Sequence, residues 1–388
     1  DLEESLAMIE KVQNSILSND EERNHLPDDY EDFYPLSSIQ QGMVFYTNIK
    51  PDEPVYHDQF VYEAEFKEFD YQIYQQAFQI MVNRHPILRT AFYLKEFDES
   101  IQVVHTDYRP EIGLDDLADL STVEQNEAIN KYLQDDLDNK FKFDKDILWR
   151  LRLFKLSDVH YSCVLSFHHA ILDGWSVATL IAEFIHIYTM LQRGEEIDLP
   201  QLHASYKDYV AVGLKRKLSA DVKEFWQDTL DGYTRNKLPF NISSKKINDL
   251  NTSKMLLKNI KGDLLARLKE QARRNGWSMK ALCLSAYIYL LNIITTEKDI
   301  VTGVVTHDRP VMEDGDKILG CFLNTIPIRM NLEDEKLDKF ELINRVNDYL
   351  IEVKPYEVFL ADIAEMIGEK NSLQNPIFDT IFNYLDFH

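Results

Sequence analysis

Apolar and polar residues alternate from Tyr161 to Phe167, which predicts a strand. Val177, Leu180, Ile181, Phe184, Ile185 and Tyr188 then recur at the spacing of an apolar stripe on a helix. Between the two lie His168, His169 and an Asp173-Gly174 turn, so two histidines sit where a strand ends and a helix begins. Sites gather in such loops.

The same reading extends along the chain. Leu2, Leu6, Ile9, Val12, Ile16 and Leu17 mark an amphipathic helix, followed by a polar linker. Asp70 to Met81, Leu264 to Asn275 and a Ser278-capped run to about Ile294 read as helices, and Lys223 to Leu230 as a helix able to bridge two lobes. Ser121 and Glu124 form a capping box. Gln102 to His105, Leu148 to Lys155 and the β-branched run Ile300 to Val305 read as strands. Thr306-His307-Asp308-Arg309-Pro310 stands at the end of the last one.

Composition narrows the function. The chain has 388 residues, enough for two domains, and 45% hydrophobic content suits a globular core. A net charge of -24 repels phosphate backbones, which argues against nucleic acid as a partner. Cys163, Cys283 and Cys321 have no metal-type or disulfide spacing and read as small buried hydrophobes of a cytoplasmic protein. No run of ~18 apolar residues stands out, so no membrane span is expected.

Neighbours on an extended strand point to opposite faces, so only one of His168 and His169 can face a cavity while the other packs. Zinc would need histidines one helical turn apart and a third ligand, so no metal is expected. No phosphate loop and no dinucleotide fingerprint occur. Gly174-Trp175-Ser176-Val177-Ala178 mimics a nucleophile elbow, but its fifth position is alanine, and Ser176 reads as a helix-start residue. A lone histidine without a covalent nucleophile points to direct acyl transfer.

The segment His168-His169-Ala170-Ile171-Leu172-Asp173-Gly174 resembles the His-His-x-x-x-Asp-Gly motif of condensation domains of nonribosomal peptide synthetases, in the chloramphenicol acetyltransferase superfamily. Other stretches resemble that family's remaining motifs in order: Tyr34 to Phe45, Asn83 to Phe92, Ser205 to Ala211 (with Val210 for the usual alanine), Ile318 to Arg329, Lys354 to Phe359 more loosely, and Asn375 to Phe382. His85, in the second, precedes Pro86 at a helix end and reads as structural.

The resemblance implies an α/β (α+β) fold of two chloramphenicol acetyltransferase-like lobes in a V-shaped pseudo-dimer, with the site in the cleft. Residues 1–31 read as a helix and linker from an upstream module, 32–205 as the first lobe and 206–388 as the second. Family members continue past the seventh motif, so the second lobe is expected to lack its last strand and helix. The implied reaction joins two aminoacyl or peptidyl thioesters, held on the phosphopantetheine arms of donor and acceptor carrier proteins, into a peptide bond. No cofactor is bound directly. The setting is a monomeric module beside an adenylation domain in a synthetase for secondary metabolites such as antibiotics.

Within that resemblance His169 is the catalytic residue, orienting the acceptor amine and relaying its proton. The backbone N–H of Gly174 stabilises the oxyanion, because glycine lets backbone approach substrate. His168 packs. Asp173 is structural, paired with an arginine of the other lobe, for which Arg309 is the candidate. Trp175 and Asn324 are candidate tunnel-lining residues. Same-fold alternatives are ester-forming, epimerising and heterocyclising domains; the last lack the histidine pair. A non-catalytic recruiting domain and a free-standing coenzyme A-dependent acyltransferase are the readings from other classes.

Overall fold

The computed structural model describes residues 2–143, 146–239, 255–333, 338–369, 375 and 377–385. Pro376 of the seventh motif and the last three residues therefore lie outside the described part. Two units make up the chain. The first runs to Lys215 and takes in Arg309–Leu323; the second comprises Arg216–Asp308 and the residues from Asn324 onward. The division thus falls ten residues beyond the expected one at 205/206, because Tyr206, Val210 and Ala211 bury into the first core. Arg309 belongs to the first unit, together with Asp173.

In the first unit the strands are β1 (Tyr30–Pro35), β2 (His57–Glu65), β3 (Thr90–Tyr93), β4 (Ile101–His105), β5 (Ile112–Asp116), β6 (Trp149–Lys155) and β7 (His160–His168). They form a four-stranded mixed sheet ordered β2-β7-β6-β5 and a smaller antiparallel sheet ordered β1-β4-β3. In the larger sheet, β5 and β6 are parallel while β7 is antiparallel to both its neighbours. Strand β7 is interior, and all of it beyond His160 is buried, which explains its near-continuous run of apolar residues. The helices are α1 (Leu2–Ser18), α2 (Asp20–Arg23), α3 (Ser38–Ile49), α4 (Tyr71–Arg84), α5 (Thr122–Asp138), α6 (Gly174–Gln192) and α7 (Tyr206–Lys217), the last crossing into the second unit.

Helix α1 docks on this unit. Ile9 and Ile16 are buried, and Gln13 Nε2 donates to Phe33 O at 2.6 Å and to Asp32 Oδ1 at 2.8 Å. Helix α6 is, by length and composition alone, apolar enough to cross a membrane (mean hydropathy 1.2), which the apolar spacing did not anticipate. Here its Val177, Leu180, Phe184, Ile187 and Tyr188 belong to the core.

The second unit holds α8 (Ala220–Thr229), α9 (Gly262–Asn275), α10 (Met279–Thr295), β8 (Asp299–His307), β9 (Leu323–Asn331), α11 (Lys339–Glu352), α12 (Leu360–Met366) and β10 (Ile381–Phe382). Its described strands pair in the order β10-β8-β9, with β10 parallel to β8. Helix α8 packs inside this unit: Trp226 is fully buried and its indole N–H donates to Tyr356 O at 2.8 Å.

Candidate active site

The β2–β7 register sets His57 opposite His168, and the next residue, His169, donates its backbone N–H to Tyr56 O at 2.8 Å. Tyr56 takes a left-handed conformation at φ 59°, a strained one for an aromatic residue. It stands immediately before the edge strand.

Alternation then separates the two histidines. His168 is 2% exposed. Its Nδ1 accepts from Ala170 N–H at 3.2 Å, so the ring proton sits on Nε2, 3.0 Å from Thr47 Oγ1 of α3. Burial, reinforced by His169 and His57, pulls this imidazole down to about 3, so it stays neutral near pH 7. His168 is a packing residue.

His169 is half-buried. Its Nδ1 lies 2.9 Å from the Leu172 carbonyl, which can only accept, so the proton is fixed on Nδ1. That leaves the Nε2 lone pair open as the basic atom. The carboxylate of Asp58, on β2, stands 3.8 Å from Nε2.

Asp173 is fully buried, and both of its carboxylate oxygens are engaged. Oδ1 accepts from Ser176 N–H at 2.7 Å, capping α6, and from Arg309 Nη2 at 3.2 Å. Oδ2 accepts from Phe322 N–H at 3.1 Å. Arg309 also donates to Ser176 Oγ at 2.7 Å and to Ile318 O at 2.8 Å, and stacks over the Phe322 ring at 4.2 Å. Ser176 Oγ in turn donates to Gly320 O at 2.7 Å. Its hydroxyl is a hub of this network, and among the described residues its partners, Arg309 and the Gly320 backbone, include no base to make it a nucleophile.

Gly174 is the first residue of α6. The positive-φ glycines lie elsewhere, at Gly194, Gly232, Gly276 and Gly368, so left-handed freedom is not what Gly174 contributes. Its N–H lies at a helix start, where backbone donors lack intrahelical partners. Trp175 is 45% exposed, with its indole N–H on Asp316 O at 3.1 Å. Asn324 lies in the second unit, buried, its amide donating to Val358 O at 3.0 Å. His85 is 1% exposed and bound to Glu183 at 2.7 Å.

The other motifs of the first unit hold the loop after β7. Ser37 and Gln40 form the capping box of α3, and Gln40 Nε2 donates to Ala170 O at 3.2 Å. Tyr206 O–H donates to Cys321 O at 2.9 Å. Gly320 lies so close to Tyr206 that a Cβ there would be 2.2 Å from its ring. Asp173 N–H donates to Gly320 O at 3.1 Å. These contacts brace the loop that carries His169. A cavity of about 690 Å³ lies elsewhere in the unit, against Arg84, His85, Arg89 and Leu199, and no residue of 166–176 lines it.

Residues 30–387 match the family model described as Condensation domain. Among curated relatives, AMB antimetabolite synthetase AmbE of Pseudomonas aeruginosa is 29% identical over 372 residues, covering 95% of this chain and 17% of its own length. Bacitracin synthase 3 of Bacillus licheniformis is 28% identical over 345 residues, covering 88% of this chain and 5% of its own length. The chain thus spans under a fifth of either relative. Two solved structures share the fold. The starter condensation domain of rhizomide synthetase has a TM-score of 0.71 at 16% identity, over 90% of this chain and 78% of that one. The first condensation domain of the CDA synthetase has a TM-score of 0.70 at 15% identity, over 92% and 83%.

The chain belongs to the condensation-domain family of nonribosomal peptide synthetases. Domains of this family form amide bonds by acyl transfer and work with the phosphopantetheine arms of carrier proteins in multidomain synthetases.

Proposed function

We propose that this domain joins two carrier-bound aminoacyl or peptidyl thioesters into a peptide bond, with His169 orienting the acceptor amine and relaying its proton. One observation carries this reading: the Leu172 carbonyl fixes the proton on Nδ1 and leaves Nε2 open on a half-buried ring. The acceptor amine attacks the donor's thioester carbon, and a C–N bond forms. Nε2 accepts a proton from the nitrogen, which a histidine is suited to do near neutral pH. The Gly174 N–H, at the positive end of α6, steadies the oxygen of the tetrahedral intermediate. Collapse breaks the C–S bond, and the donor carrier leaves as a thiol. Asp173 takes no part in the chemistry, since its carboxylate is engaged with Ser176, Arg309 and Phe322.

The test supplies donor and acceptor carriers, each loaded as a thioester, and in parallel acetyl-coenzyme A with a free amine. The expected result is an aminoacyl or peptidyl amide on the acceptor carrier and no acetylated amine. Acetyl transfer alone would assign a free-standing acyltransferase. Carrier binding without any product would assign a recruiting domain.

A further inference from the structure

The open nitrogen of His169 has a charged neighbour on its reactive side. Asp58 Oδ2 lies 3.8 Å from Nε2, with the two side chains 36% and 24% exposed. Asp58 is two residues past Tyr56, whose carbonyl accepts the His169 N–H. Alternate strand residues share a face, so this register brings Asp58 to the face His169 uses, diagonally across the pair. Among the described residues no lysine or arginine forms an ion pair with Asp58. The gap is too long for a direct hydrogen bond. It suits a shared guest: a nitrogen about 2.9 Å from each atom bridges a gap of this size.

We propose that Asp58 is the docking group for the acceptor's charged amine, so that its carboxylate and His169 Nε2 clasp one α-ammonium between them. This rests on the amide-forming reading. An α-amino group titrates near ~8, so the acceptor arrives mainly as a cation and must shed a proton before it attacks. A neutral imidazole offers that cation no charge; Asp58 supplies it. The ammonium then gives one proton to water while the carboxylate holds it in place. The freed amine attacks the thioester carbon. As the C–N bond forms, Nε2 accepts the second proton from nitrogen, Asp58 balances the imidazolium, and that proton passes to the thiolate as the C–S bond breaks, so the donor leaves as thiol.

The test separates binding from turnover. Calorimetry on the full chain at pH 7 compares two unreactive amide-linked pantetheine analogues, one bearing an α-ammonium and one the matching α-hydroxyl. The expected result is at least a tenfold preference for the ammonium, lost in Asp58→Asn and restored in Asp58→Glu. With loaded carriers, Asp58→Asn should raise the acceptor KM about tenfold and leave the donor KM unchanged. A wild type that binds both analogues equally, or an Asp58→Asn variant that keeps the preference, overturns the proposal. If the wild type shows the preference but makes no amide, the amide-forming reading falls and Asp58 stands. If amide forms in a His169-dependent way while Asp58→Asn matches wild type, only Asp58 falls.

Discussion

Strands β7 and β8 share a layout and differ in the chain beyond their last residue. Each has nine residues, and each ends in a histidine with an aspartate close behind. After β7 the chain turns tightly into α6. The aspartate becomes the helix cap, and the Leu172 carbonyl of that turn fixes the His169 tautomer. After β8 there is no turn into a helix. His307 is exposed, and Asp308 pairs with Arg216. Burial pushes the Asp308 carboxyl up to about 6, although Arg216 opposes the shift. The contrast shows that the chain after a strand, not the strand itself, sets a histidine's surroundings: the Leu172 carbonyl fixes the His169 tautomer within a tight turn.

The sharpest way to break this comparison is to exchange the two histidines' fates. His169→Ala should reduce amide formation about 10²- to 10⁴-fold, the range of a lost general acid–base group, with carrier binding kept. His307→Ala should stay near the wild-type rate. Equal losses in a single-turnover assay would end the distinction.

The aspartates come next. Asp173→Asn leaves the Arg309 guanidinium, 13% exposed, without its counter-charge and should cost about 3 to 5 kcal/mol of stability. Asp308→Asn should cost no more than about 1 kcal/mol, because its Arg216 partner is 25% exposed and can be hydrated. Urea midpoints check both. If Asp173→Asn is as stable as the wild type yet inactive, Asp173 belongs to the chemistry.

A third contrast is in pH. His168 titrates near 6.5 unfolded and about 3 folded, so between those values the unfolded chain binds more protons. Its contribution is fully present above pH 6.5 and is lost as pH falls toward 3. Asp308 acts oppositely. It titrates at 3.8 unfolded and about 6 folded, so the folded chain binds more protons in that window and stability falls as pH rises through it. His168→Asn should flatten the first slope and Asp308→Asn the second, each read as the variant's difference from wild type in thermal midpoint. Slopes of one sign at both sites would refute the contrast.

Much of the fold was legible in the sequence. Strands β4, β6, β7 and β8 and helices α1, α4, α9 and α10 fall within a few residues of their expected spans; all but α9, which buries only Ala272, bury one face or more, and the apolar spacing records that. Strand β2 escaped notice. It is the edge of its sheet, with no residue buried and several exposed, and its sequence alternates weakly. Asp58 was missed with it. Charge on an edge strand carries no local sign of what lies across the sheet.

Local spacing and strand alternation are enough to set the ladder of elements, the motifs and the two histidines on opposite faces, and all three can be read from the residues in order. Tertiary structure decided which nitrogen of His169 is open, that the Asp173 carboxylate is fully engaged, and that Asp58 stands beside the reactive atom. Those outcomes depend on a carbonyl three residues downstream, on a segment 136 residues away and on strand register, and such contacts are fixed only when the chain has packed.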